Sequence, residues 1–250
     1  LRVGALLIGL VLGTAPALAD EVCDPLAIEL VTTPQRTPGY LSLVATQKLQ
    51  ASLPEAADAI LLGDSLFAGW RTDLPKTFPA TRIYDFAVGG DRVPNVLWRM
   101  ENTDIARLKP SALALLIGTN DLAAGTPPCA VAKGIGLIVS RLRANWPEAP
   151  VFVLTIPPRG PDFREIDDVR LEVNRAITEL GKSDPSVHPV LIDDVAFTCG
   201  QYAAPKPTSG RLVCNNYVDD NLHFSTEGYV ELGRILKEAS TSAVGKSLFN

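Results

Sequence analysis

Short apolar runs, each the length of one strand, alternate along this chain with segments of helical length. The runs are Ala59–Leu62, Ser111–Ile117, Val151–Ile156 and Val190–Ile192, and Arg82–Val88 reads as a further strand with Ile83, Phe86 and Val88 apolar. The helical segments are Tyr40–Leu53, Val93–Leu108, Ala130–Trp146, Phe163–Leu180 and Thr226–Lys237. Gly134 and Gly136 weaken the helical pattern of the third. Strands that are apolar throughout are buried on both faces, which implies a parallel sheet covered by helices on either side. The expected fold is therefore α/β, a three-layer α/β/α sandwich around a five-stranded, mostly parallel sheet. Residues 20–250 read as one domain, with an irregular lead-in to about Pro38. Asp193–Asp219 is the one long irregular connection, and such loops inside compact domains usually serve function.

The first nineteen residues read differently. Arg2 precedes an apolar run, Val3–Leu12, and Ala17-Leu18-Ala19 is a small-residue cleavage pattern. Residues 1–19 are expected to be a signal peptide, with the mature protein exported to the periplasm or secreted. The run is too short for a stable membrane anchor, and no insertion into a bilayer is expected elsewhere. A net charge of -5 argues against a nucleic-acid partner, which requires a basic face. Four cysteines, Cys23, Cys129, Cys199 and Cys214, fit two disulfides in an oxidising compartment. Three connectivities are open. Cys199–Cys214 is favoured because both lie in the irregular stretch, which leaves Cys23–Cys129. The spacing does not suit zinc.

Three short motifs carry candidate chemistry. Ser65, in Gly63-Asp64-Ser65, follows a strand and opens a helix, where free backbone N–H groups favour negative charge. A serine hydroxyl needs a base to act as a nucleophile. The chain holds two histidines. His188 sits in Ser-Val-His-Pro and reads as a strand-edge residue. His223 follows Asp220 by three residues, a spacing that on a helical turn places both side chains on one side. A carboxylate there fixes the imidazole tautomer. Asn120 ends a strand in Gly118-Thr119-Asn120-Asp121 and can donate its amide to an oxyanion. Gly89-Gly90 follows another strand and lets a backbone N–H approach a ligand closely. Taken singly, each has an ordinary structural alternative: a helix-capping serine, a capping aspartate beside an incidental histidine, an Asx-turn, a plain turn. Asp64, Asp91 and Asp121 read as turn and supporting groups, because no histidine or Asp-x-Asp cluster accompanies them to make a metal site.

Together the motifs resemble those of the SGNH hydrolases, the GDSL-type esterases and lipases. Gly63-Asp64-Ser65-Leu66 stands as the first block, Gly90 as the second-block glycine, Asn120 as the third, and Asp220 with His223 as the last. Gly89-Gly90-Asp91-Arg92, Val96-Leu97-Trp98-Arg99 and Pro157-Pro158-Arg159-Gly160 resemble the platelet-activating-factor acetylhydrolase-like branch. The resemblance spans about Ala59 to Lys237, and the cysteine-bearing stretch before Asp220 departs from it. It implies a flavodoxin-like sheet order and a serine esterase without metal or cofactor. Ser65, His223 and Asp220 would be catalytic, with an oxyanion hole from Ser65, Gly90 and Asn120. The implied substrate is a small carboxylic ester, such as an acetylated sugar or lipid. A lysophospholipase, a thioesterase, an acyltransferase and a non-catalytic binder of the same fold are the alternatives. No Gly-x-Ser-x-Gly surrounds Ser65, so the chain is not of the α/β-hydrolase type.

Overall fold

The computed structural model describes residues 23–36 and 40–250. The expected signal peptide, residues 1–19, lies outside them. Five strands form one wholly parallel sheet: β1 (Ala59–Gly63), β2 (Ile83–Asp85), β3 (Ala112–Leu116), β4 (Val151–Leu154) and β5 (Val187–Val190). Their order is β2-β1-β3-β4-β5, so the chain reverses direction across the sheet between β2 and β3. In such sheets the crevice at the C-terminal ends of the strands, at the switch point, is where ligands bind.

Ten helices accompany the sheet among the described residues: α1 (Pro25–Thr32), α2 (Tyr40–Ala51), α3 (Ser65–Ala68), α4 (Leu74–Thr77), α5 (Val93–Glu101), α6 (Thr119–Ala123), α7 (Pro128–Asn145), α8 (Asp167–Ser183), α9 (Asp194–Phe197) and α10 (Thr226–Val244). Successive residues of each strand point to opposite faces, and both faces are dry. Ile60, Leu62, Leu113, Leu115, Val151 and Val153 join a core under α1, α5, α7 and α8. Leu61, Ala114, Leu116, Phe152 and Leu154 join the other, under α3, α4 and α10. The second core is aromatic. Trp70 stacks on Tyr229, and Phe249, one residue from the end of the chain, packs on Phe78 and Phe152.

Several boundaries differ from the sequence expectation, each for a local reason. The lead-in contains α1, because Asp24 caps its first turn and Pro25 presets the backbone. β2 ends formally at Asp85, although Phe86 and Val88 still donate to Leu61 and Gly63 of β1. The helix expected to reach Leu108 stops at Glu101. There the Asn102 amide and the Thr103 hydroxyl bond to the carbonyls of Trp98 and Arg99, competing with the helical backbone, and a 3₁₀ turn, Asp104–Arg107, follows. α8 starts four residues late because Phe163 and Ile166 take left-handed conformations. β5 covers Val187–Val190, not Val190–Ile192: it is an edge strand, which tolerates His188 and the missing N–H of Pro189. Gly134 lies within α7 because a methyl group there would meet Val31 and Val93 at 2.5 and 2.6 Å. The long connection after β5 contains α9 and one 3₁₀ turn, Gln201–Ala203.

Both disulfides pair as favoured, Cys199–Cys214 and Cys23–Cys129. The second ties α1 to the first turn of α7, across 106 residues of sequence. Closing a loop that long restricts the unfolded chain by about 4 to 5 kcal/mol in the chain-entropy account.

The packing of Phe249 gives a direct test. Its side chain is fully buried, so Phe249→Ala is expected to cost about 3 kcal/mol or more. Urea unfolding of the variant should show a lower midpoint with an unchanged slope.

Candidate active site

β1 delivers Ser65 to the C-terminal edge of the sheet as the first residue of α3. Asp64, not the serine, caps that helix by accepting from the N–H of Leu66 at 2.9 Å. The serine hydroxyl is thereby left free of a capping role. His223 Nε2 stands 2.8 Å from Ser65 Oγ. His223 Nδ1 stands 2.6 Å from Asp220 Oδ2. Hydroxyl, imidazole and carboxylate thus form one hydrogen-bonded row.

Asp220 and His223 are not on a helix, as their spacing suggested. Asp220 Oδ1 accepts from the N–H groups of Leu222 and His223, both at 2.9 Å, and this folds residues 220–223 into a tight turn. The same carboxylate therefore shapes the turn and orients the imidazole. Burial pulls the Asp220 carboxyl upward, but the hydrogen bonds from the His223 ring and from the two backbone N–H groups outweigh it. The net effect holds Asp220 below its ordinary value, and it stays ionised beside the imidazole.

The three donors expected from the sequence lie on different elements. The N–H of Ser65 lies at the start of α3, and neither it nor the N–H of Gly90 bonds to a backbone carbonyl among the described residues. Gly90 has φ +79, a backbone state that favours glycine, and a methyl group at Gly89 would lie 3.8 Å from the Ser65 Cβ. The double-glycine turn therefore passes over the serine. Asn120 lies in α6, beyond the strand end where the sequence placed it. Its Nδ2 donates to the carbonyl of Asp91 at 2.9 Å, which couples Asn120 to the Gly90 turn and leaves its second N–H available.

Beneath this surface lies a layer of buried charge, in which the aspartates read from the sequence as turn and supporting groups are joined by Arg99. Asp91 and Arg99 form an ion pair at 2.6 Å with both side chains fully buried. Arg99 also donates to the carbonyls of Phe86 at 2.8 Å and Gly63 at 3.4 Å, and lies over the Phe86 ring. Its signal was an arginine three residues after Val96, on the apolar face of α5. Asp121 accepts from the N–H of Val93, tying α6 to the start of α5. Burial is the main force on the remaining carboxyls: it pushes Asp64 up to about 7, aided by Asp91 and Asp121 nearby, and Asp121 up to about 7. No group of three or more His, Cys, Asp or Glu suited to a metal ion occurs among the described residues. His188 is far from this chemistry in role: it stacks on Phe152 in the edge strand.

A parallel α/β/α sandwich with serine, imidazole and carboxylate bonded in a row at its C-terminal edge has the architecture of a serine ester hydrolase. The chain belongs to the GDSL-like lipase/acylhydrolase family, whose model matches residues 54–230. The human platelet-activating factor acetylhydrolase IB subunit alpha1 is 28% identical over 185 residues, spanning 72% of this chain and 73% of that protein. A GDSL-like lipase from Bacteroides thetaiotaomicron superposes with a TM-score of 0.59 at 19% identity, over 82% of this chain and 100% of that one. An acetylxylan esterase from Geobacillus stearothermophilus gives 0.53 at 14% identity, over 78% and 96%. These two likenesses are of fold.

The raised Asp64 carboxyl makes a stability prediction. From the ordinary carboxylate range up to about 7, the folded protein holds a proton that the unfolded chain has released, so stability falls as pH rises through that window. Asp64→Asn keeps the cap on Leu66 without the titration. Its loss of stability between about pH 4 and about pH 8, followed by denaturant unfolding, should be smaller than that of the unaltered protein.

Proposed function

We propose that this chain is an exported esterase that cleaves short acyl esters, acetyl esters above all, through an acyl-Ser65 intermediate. The observation that carries the reading is the continuous row from Ser65 Oγ through both nitrogens of His223 to Asp220. His223 Nε2 takes the hydroxyl proton as Ser65 Oγ attacks the ester carbonyl. Asp220 stabilises the imidazolium. The oxyanion accepts hydrogen bonds from the N–H of Ser65, the N–H of Gly90 and the Asn120 amide. The alcohol departs with the proton held on Nε2, and water, activated by the same nitrogen, releases the acid.

Acetyl preference draws support from the names of relatives, an acetylhydrolase and an acetylxylan esterase. Export draws support from the signal-like residues 1–19 and from the two disulfides. Residues 20–250 are then the mature hydrolase. No helix among the described residues is long and apolar enough to cross a membrane.

Nitrophenyl esters from acetyl to dodecanoyl test the acyl preference. kcat/KM should be highest for acetyl and lower by about tenfold or more at octanoyl; a maximum at long chains would assign a lipase instead. Ser65→Ala should abolish both turnover and labelling by a fluorophosphonate. Asn120→Ala should lower kcat by about a hundredfold or more while folding normally.

A further inference from the structure

The Asp220–His223 turn sits at the surface, where packing alone cannot fix it. The side chain of Asp219 is 100% exposed and that of Asp220 49%. Between them and His223 lies one fully buried polar residue, Asn221, 1% exposed and in the left-handed conformation at φ 50. Its bonds lead to two different parts of the fold. Toward the exit of β4, its carbonyl accepts from the N–H of Gly160 at 2.9 Å, and its Nδ2 donates to the Gly160 carbonyl at 3.2 Å. Toward the stretch closed by Cys199–Cys214, the same Nδ2 donates to the carbonyl of Leu212 at 2.8 Å. Its Oδ1 accepts from Arg211 Nη1 at 3.1 Å.

Arg211 completes the arrangement. Its second nitrogen, Nη2, donates to Asp219 Oδ1 at 2.5 Å, so one guanidinium grips the residues on either side of Asp220. Leu212 in turn donates its N–H to the carbonyl of Pro161 at 2.7 Å, which fastens the disulfide-closed stretch to the β4 exit. Asn221 is thus a hub under the turn, bonded at once to Gly160, Leu212 and Arg211. Removing the Asn221 side chain breaks its bonds to the Gly160 and Leu212 carbonyls together, and removing Arg211 takes the donor from the buried Asn221 Oδ1, so the two side chains act as a unit.

We propose that Arg211 and Asn221 are positioning residues that clasp the Asp220–His223 turn, so that the Cys199–Cys214 stretch controls turnover without touching substrate. The inference rests on the roles given above to Asp220 and His223. A small swing of the turn lengthens the contact between His223 Nε2 and Ser65 Oγ, and proton transfer is sensitive to that distance. Substrate binding is not, because no clasp atom needs to meet the ester. The loss should therefore fall on kcat and spare KM.

Steady-state hydrolysis of nitrophenyl acetate by Asn221→Gly, Arg211→Gln and their combination tests the clasp. Glycine keeps the left-handed backbone and removes only the side-chain bonds. Each single variant should lose about tenfold in kcat with KM changed by less than about threefold, and the combination should lose little more than the worse single variant. Cys199→Ser with Cys214→Ser should reproduce the kcat loss. Thermal melts separate this from unfolding, and Arg211→Gln, a change at an exposed residue, covers the case in which Asn221→Gly fails to fold. Wild-type kcat in a folded Asn221→Gly or Arg211→Gln protein overturns the clasp, as does a loss expressed in KM. Fluorophosphonate labelling of the unaltered protein separates the two layers. An unlabelled parent defeats the esterase reading itself, whereas a labelled parent with unaffected variants defeats only the clasp.

Discussion

The ion pair between Arg99 and Asp91, sealed beneath the catalytic surface, is the contact on which the rest of this architecture turns. Arg99 reaches from α5 to the ends of β1 and β2 and to the turn that carries Gly90. Removing two charges from water is expensive, and such a pair seldom adds net stability over an apolar replacement. What it supplies here is register. The guanidinium fixes the end of β1, from which Ser65 departs, relative to the Asp91 carbonyl that holds Asn120. Ser65 and Asn120, the proposed nucleophile and oxyanion donor, are thus referred to one buried cation. Truncating either partner would leave the other charge stranded, which is far costlier than exchanging both.

Much of the sheet is legible in the sequence because its physics is simple. β1, β3 and β4 are buried on both faces, so their residues must be apolar without alternation, and that pattern survives in the one-dimensional string. β5 is harder to read. An edge strand has one neighbour, and His188 and Pro189 can occupy it at little cost, so its composition no longer declares its state. Helix limits at Glu101 and Asp167 were set by side chains that compete with the backbone and by left-handed residues, neither of which periodicity reports. α1 was readable after all, from Asp24 and Pro25 together.

The site divides along the same line. Ser65, Asn120, Asp220 and His223 stand in short motifs, where their neighbours in the string mark them. Arg99 and Asn221 owe their importance to partners far away in sequence, and nothing adjacent to them announces those partners. An arginine on an apolar helical stripe was the one visible trace of the first. For the second, asparagine's tolerance of the left-handed state is a permissive hint and no more. Supporting residues are specified by the folded neighbourhood, so a lone sequence reveals them last.

The contact between Ser65 and His223 joins positions 158 residues apart. The proposed nucleophile comes first, and its proposed base follows only after the whole sheet and the stapled connection. A contact of that range carries a loop-closure cost that the ordered intervening chain must offset. A chain still growing or only partly organised consequently presents a bare alcohol with no base beside it. On the proposed mechanism, hydrolysis therefore demands that the whole span between the two be in place, and a chain that has not joined them leaves an ester intact.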